Sequence, residues 1–138
     1  MDDAESIEIA PRKTKPPNSK VDWPWGSYEV LASGPGFQLK RLTVKPLKRL
    51  YLQWHRHRDE HWVMARGTAR VVVDGRERTL GRGQSMDVPR TVTHRVENIS
   101  SIDPLEIIEL QTGDYLGEDD IVRVADDFGR ADEHPSRS

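Results

Sequence analysis

Short runs of alternating apolar and polar residues, broken by glycine and proline, fill most of this chain. Ser27 to Leu31, Phe37 to Val44, Leu50 to His57, His61 to Val73 with a turn at Gly67, Glu77 to Leu80, Ser85 to Val88, His94 to Glu97 and Leu105 to Leu110 all read as strand. Gly34-Pro35-Gly36, Pro46, Gly81-Arg82-Gly83, Pro89 and the Asn98 to Pro104 stretch supply the breaks. Asp74-Gly75 is a two-residue connection that demands positive φ and so predicts a hairpin between Val71–Val73 and Glu77–Leu80. Strands recurring about every 8–12 residues with turns between them predict an all-β sandwich or barrel.

Alternation also assigns faces. Tyr51, Gln53, His55 and His57 leave one side of their strand, and Leu52 and Trp54 leave the other. Both sides are partly apolar, which suits a strand covered on both faces and hints at a dimer. Lys40 and Arg41 point to opposite faces, so at most one of them lies inside. Trp23, Trp25 and Tyr28, gathered around a Pro/Gly turn, read as a core plug or as a lid over a barrel mouth. Residues 1–20 mix acids with lysine and proline without periodicity and predict a flexible N-terminal tail. The compact domain is expected over 21–130, its last part a short acidic segment, and 131–138 read as a C-terminal tail.

Bulk properties narrow the function classes. A length of 138 residues fits one domain, and a net charge of -2 with pI near 6.2 gives no broad pull toward nucleic acid or an anionic membrane. Without cysteine there is neither a disulfide nor a thiolate metal site. Asp2, Asp3 and Glu5 stand where a secretory signal needs positive charge, and no apolar run approaches a membrane span, so a cytoplasmic location is expected.

The chemistry concentrates in Gln53-Trp54-His55-Arg56-His57-Arg58-Asp59-Glu60-His61-Trp62. His55 and His57 share a face, and His61 has the same parity; His94 lies just beyond the Pro89 turn. A lone His-x-His on a strand is usually a solvated edge. Four of the five histidines falling in two strand-like stretches instead predict one metal site with ligands His55, His57, His61 and His94, because neutral imidazole is the commonest ligand for divalent transition metals.

The order of these motifs resembles the cupin superfamily, which are double-sheet jelly rolls, so the resemblance implies a cupin double-stranded β-helix. Cupins usually supply a Glu as third ligand, whereas parity here puts His61 rather than Glu60 in that slot. A narrower likeness follows. Trp25 to Val30, Lys40 to Val44, Gln53 with His55 to Trp62, His94 to Asn98, Pro104 to Gly113 and Tyr115 to Arg123 resemble the type II mannose-6-phosphate isomerases. The likeness spans residues 23 to 130 and departs at Leu47, Tyr51, Asp87 and Thr91, where that family commonly has Gly, Ser, an aromatic and Gly. In that family the domain often follows a mannose-1-phosphate guanylyltransferase domain, for which 138 residues leave no room.

The resemblance implies a metal-dependent aldose-ketose isomerase interconverting mannose 6-phosphate and fructose 6-phosphate. One divalent ion is expected, Zn²⁺ first, with Fe²⁺, Mn²⁺ or Co²⁺ as alternatives. Glu60 and then Glu109 are the candidates for proton transfer, and Gln53 for holding a sugar hydroxyl or supporting a ligand. Lys40, Arg41 and Arg95 are the candidates for the phosphate. Tyr51, directed inward, would narrow the room for a sugar. The expected partners are a sugar phosphate and a second copy of the chain in a homodimer, with neither nucleic acid nor membrane. Two other classes share these features, a metal-dependent cupin oxygenase and a non-catalytic binding or assembly module, natural or engineered.

Overall fold

The computed structural model describes residues 15–124. Residues 1–14 of the expected N-terminal tail, the last part of the expected domain at 125–130 and the expected C-terminal tail at 131–138 lie outside the described residues. Among the described residues eleven strands form two antiparallel sheets. They are β1 Lys20–Trp23, β2 Gly26–Gly34, β3 Phe37–Val44, β4 Gln53–Trp54, β5 Arg58–Arg66, β6 Ala69–Val73, β7 Arg76–Leu80, β8 Ser85–Val88, β9 His94–Asn98, β10 Leu105–Gly113 and β11 Val122–Arg123. One sheet runs β1-β2-β3-β10-β5-β8 and the other β11-β4-β9-β6-β7. The all-β expectation holds, and among the described residues no helix is long and apolar enough to cross a membrane.

Local chemistry explains most boundaries. Asp74 and Gly75 take φ of 54° and 75°, and this tight connection sets Val73 opposite Arg76 as the sequence predicted. Gly26, at φ 151°, lies against the Thr43 carbonyl so closely that any Cβ there would clash, which lets β2 and β3 approach. Residues 15–19, read from sequence as part of the tail, are tied to the sheet: the Lys15 amide donates to Gln38 Oε1 (2.8 Å) and the Asn18 amide to the Val30 carbonyl (2.7 Å).

The strand expected over Leu50 to His57 shrinks to Gln53–Trp54. The amides of Arg56 and His57, which a ladder would have used, donate instead to the two carboxylate oxygens of Asp120, each at 2.9 Å. The chain bends there and crosses from the five-stranded sheet to the six-stranded one. Side-chain parity restarts at Arg58.

Register across β3, β10 and β5 sorts the interior into rows. Gln38, Gln111 and Glu60 form one row, Lys40, Glu109 and Trp62 the next, and Leu42, Ile107 and Met64 the third, all buried. Val44 and Leu105 continue the apolar end, where Trp25 and Tyr28 join the core and the Lys45 amide donates to the Trp25 carbonyl. The tryptophan cluster is therefore a core plug. One end of the barrel is hydrocarbon and the other carries buried charge.

Candidate metal centre

At the polar end three side chains converge from both sheets. His55 follows β4, His94 opens β9 opposite Gln53, and Glu60 lies on β5. His55 Nε2 is 3.3 Å from Glu60 Oε2, and His94 Nε2 is 3.9 Å from Glu60 Oε1. One potential ligand atom from each lies within 4.8 Å of the others, and all three residues are buried. The other ring nitrogens are held by main-chain carbonyls, Nδ1 of His55 by Asp120 and Nδ1 of His94 by Val92 (3.1 Å). A carbonyl accepts, so each Nδ1 carries the hydrogen and each Nε2 turns a lone pair toward Glu60. Metal-binding histidines are ordinarily oriented in this way, and the two-nitrogen, one-carboxylate donor set fits a divalent ion with room for further ligands. Burial lowers the His55 pKa to about 4 and also lowers that of His94, so both rings stay neutral and able to ligate.

Buried charges surround the three. Arg58 shares the Glu60 face and donates from Nε to Glu60 Oε2 at 2.8 Å, while its Nη2 lies 3.2 Å from His55 Nε2. Burial alone would raise the Glu60 pKa; Arg58, His55 and His94 more than offset it and hold this carboxylate well below the usual range. Trp62 Nε1 donates to Glu60 Oε1 at 3.0 Å. Glu109 is hydrogen-bonded to Glu60, and burial together with the Glu60 charge pushes its pKa up to about 8. A hydrogen bond between two carboxyl groups requires one proton, and this one resides on Glu109 at neutral pH. Gln111 Nε2 donates to Glu109 (3.0 Å) and Gln38 Nε2 to Gln111 (3.2 Å), so a continuous chain of donors fixes the acid pair.

Two spaces adjoin this cluster. A small one of about 20 Å³ is lined by Tyr51, Gln53, Glu60, Trp62, His94 and Glu109, among others. It has room for a water molecule or an ion, not for a sugar. A larger open depression of about 460 Å³, lined by Arg56, His57, Asp114, Tyr115, Asp119 and Asp120, faces outward.

The other sequence candidates fall in different places. His57, at the bend, is half-exposed, with Nδ1 3.8 Å from Asp114 Oδ1 and its ring edge-on to Tyr115. His61 lies opposite Asp87 in the β5–β8 register and pairs with that carboxylate on the outer face. The structure thus does not gather four imidazoles, because the bend reverses the parity on which His57 and His61 were matched to His55. It turns Glu60 inward in the place expected for His61. Lys40 is buried, with Nζ 2.7 Å from Glu118 Oε2 and 4.0 Å from the Tyr28 ring centre. Arg41 is on the outside and pairs with Glu29, and Arg95 borders the small space with Gln53. Sequence reading missed Arg58, Asp120 and Glu118. Arg58 was findable, since it stands two residues before Glu60 and must share its face. The two acids were hidden in an unpatterned acidic stretch.

The family described as Mannose-6-phosphate isomerase C-terminal matches residues 11–126. This chain belongs to that family. It is 44% identical over 126 residues to the mannose-1-phosphate guanylyltransferase of Escherichia coli strain K12, covering 91% of this chain and 26% of that protein. It is 51% identical over 110 residues to the alginate biosynthesis protein AlgA of Pseudomonas aeruginosa, covering 80% of this chain and 23% of the relative. The chain thus spans about a quarter of the length of the curated relatives it matches. In structure it resembles the cupin domain of Schizosaccharomyces pombe Cnp3, with a TM-score of 0.60 at 15% identity over 64% of each chain. The fold is a cupin.

These relatives correct one expectation. The enzyme implied at the sequence level was a mannose-6-phosphate isomerase, but the Escherichia coli relative is named a mannose-1-phosphate guanylyltransferase, which is a different reaction.

Proposed function

We propose that this chain is a metal-dependent sugar-phosphate domain in which His55, Glu60 and His94 hold one divalent ion, Zn²⁺ in the first instance, and Glu109 moves a proton beside the sugar carbonyl. The observation that carries this reading is the buried triad with both imidazole tautomers set by main-chain carbonyls. Relatives whose names contain mannose 1-phosphate support a phosphorylated sugar as the ligand. A bound ion of this class would polarise a carbonyl oxygen and ease loss of a proton from the neighbouring carbon.

The protein's own groups supply the rest. Glu109, protonated near neutral pH and pinned by Gln111, has its proton shared with an ionised neighbour, so it can give or take one without crossing to bulk water. Lys40 meets the phosphate charge. Gln53, buried beside the triad, orients a hydroxyl or the ligand set. For the ion to engage Glu60 and His55, Arg58 gives up its two hydrogen bonds to the same atoms. The chain is further proposed to act in the cytoplasm as a homodimer, which sedimentation of the purified protein tests.

The test combines metal analysis with isotope exchange. The chain is stripped with a chelator, reloaded with Zn²⁺, Mn²⁺, Fe²⁺ or Co²⁺, and incubated in deuterated water with a panel of aldose and ketose phosphates. The expected result is one ion per chain, lost in His55→Ala, and metal-dependent deuterium at carbon next to the carbonyl, lost in Glu109→Gln. A loaded protein that exchanges no proton in any sugar phosphate overturns the catalytic part. A wild-type chain that retains no ion overturns the metal centre.

A further inference from the structure

Lys40 is 3% exposed and sits in the charged end of the barrel, yet the partner of its ammonium comes from outside the sheets. That partner, Glu118, lies on the segment 114–121 that leads from β10 to β11. The segment is anchored on either side of it. Leu116 and Asp120 are buried, the Asp120 amide closes a turn onto the Gly117 carbonyl at 3.1 Å, and the Asp120 carboxylate holds the amides of Arg56 and His57. Glu118 between them keeps a side chain 35% exposed. It can therefore rotate outward while the backbone that carries it stays pinned.

The charge balance defines what must replace it. Lys40 and Arg58 are buried cations, and the carboxylates in contact with them are Glu118 on Lys40 and Glu60 on Arg58. Arg58 acts on Glu118 through space as Lys40 does by contact. If Glu118 swings out, the buried Lys40 ammonium loses the carboxylate in contact with it, which is costly unless another anion takes its place. A phosphate monoester carries close to two negative charges and three acceptor oxygens, so it outcompetes one carboxylate for a pair of cations.

We propose that Lys40 and Arg58 form an anion seat at the barrel mouth and that Glu118 is its built-in occupant, displaced by the phosphate of an incoming ligand. This rests on the sugar-phosphate reading above and adds a residue that sets affinity by competition. Glu118 is a positioning residue here. It gives way to the ligand and takes no part in proton transfer.

Inorganic phosphate is the probe, titrated calorimetrically into the full chain, with metal content measured in parallel. Glu118→Gln and Glu118→Ala are expected to bind phosphate about tenfold more tightly than wild type with unchanged metal content. The gain should vanish in the double variant Lys40→Met/Glu118→Gln. Thermal unfolding confirms that each variant is folded. Equal or weaker phosphate binding by both folded Glu118 variants overturns the proposal, as does a gain that persists without Lys40. A gain seen in protein that retains no metal would support the seat while removing the metal centre, so the two readings fail separately.

Discussion

Arg58 commits two donors to the two atoms an ion here would need. Its Nε and Nη2 reach Glu60 Oε2 and His55 Nε2, so guanidinium and metal compete for the same lone pairs. Arg58→Gln is therefore expected to tighten Zn²⁺ binding by about tenfold in a competition titration against a chromogenic chelator. Unchanged or weaker affinity would show that Arg58 supports the site instead of contesting it. The neighbouring acid pair sets a pH response in metal-free protein. Glu109 has a folded pKa of about 8 against an ordinary 4.5, so its contribution is present at low pH and is lost as pH rises between those values. His55, lowered from 6.5 to about 4, acts at the other limb, and stability falls as pH drops through that window. Urea midpoints should thus decline from pH 7 to 8.5, above the histidine window, in wild type and stay level over that range in Glu109→Gln, whose amide is neutral throughout.

At the scale of elements, β3 and β8 were legible from alternation alone, and the Asp74-Gly75 hairpin from its dipeptide. The two-residue β4 was not, because what ends it is the carboxylate of Asp120, 64 residues away in sequence from the Arg56 amide it binds. No local pattern announces such a partner. The same contact decided the ligand set, since reading straight through the bend carries His57 and His61 inward and Glu60 outward. Turns hold a further element-scale consequence. Leu47 and Thr91 adopt φ of 63° and 70°, conformations that suit glycine, and Thr91 is β-branched. Its amide donates to the His55 carbonyl at 2.7 Å, so the turn must keep that shape to brace the site. Thr91→Gly preserves the bond and removes the strain. It is expected to raise stability by roughly 0.5–1 kcal/mol in urea unfolding, and a loss of stability would mean that the threonine side chain matters more than its backbone.

Across the whole molecule, the barrel divides into an apolar end that stabilises the fold and a charged end that costs stability. Met64, Leu80, Leu105 and Ile107 are fully buried at one end, whereas Glu60, Glu109, Arg58 and Lys40 are buried at the other, held by the Arg58–Glu60, Glu60–Glu109 and Lys40–Glu118 contacts. A ligand that binds only the folded state adds to this balance by mass action. Zn²⁺ at a hundredfold excess over its dissociation constant is expected to stabilise the chain by about 2.7 kcal/mol. Differential scanning calorimetry with and without chelator reads the corresponding rise in midpoint, which His94→Ala should abolish. The donors are divided between the two leaves of the barrel, two imidazoles from the five-stranded sheet and one carboxylate from the six-stranded sheet. An ion seated among them would work as a rivet through both leaves, and withdrawing it would let them splay at the rim while the hydrocarbon floor stayed shut.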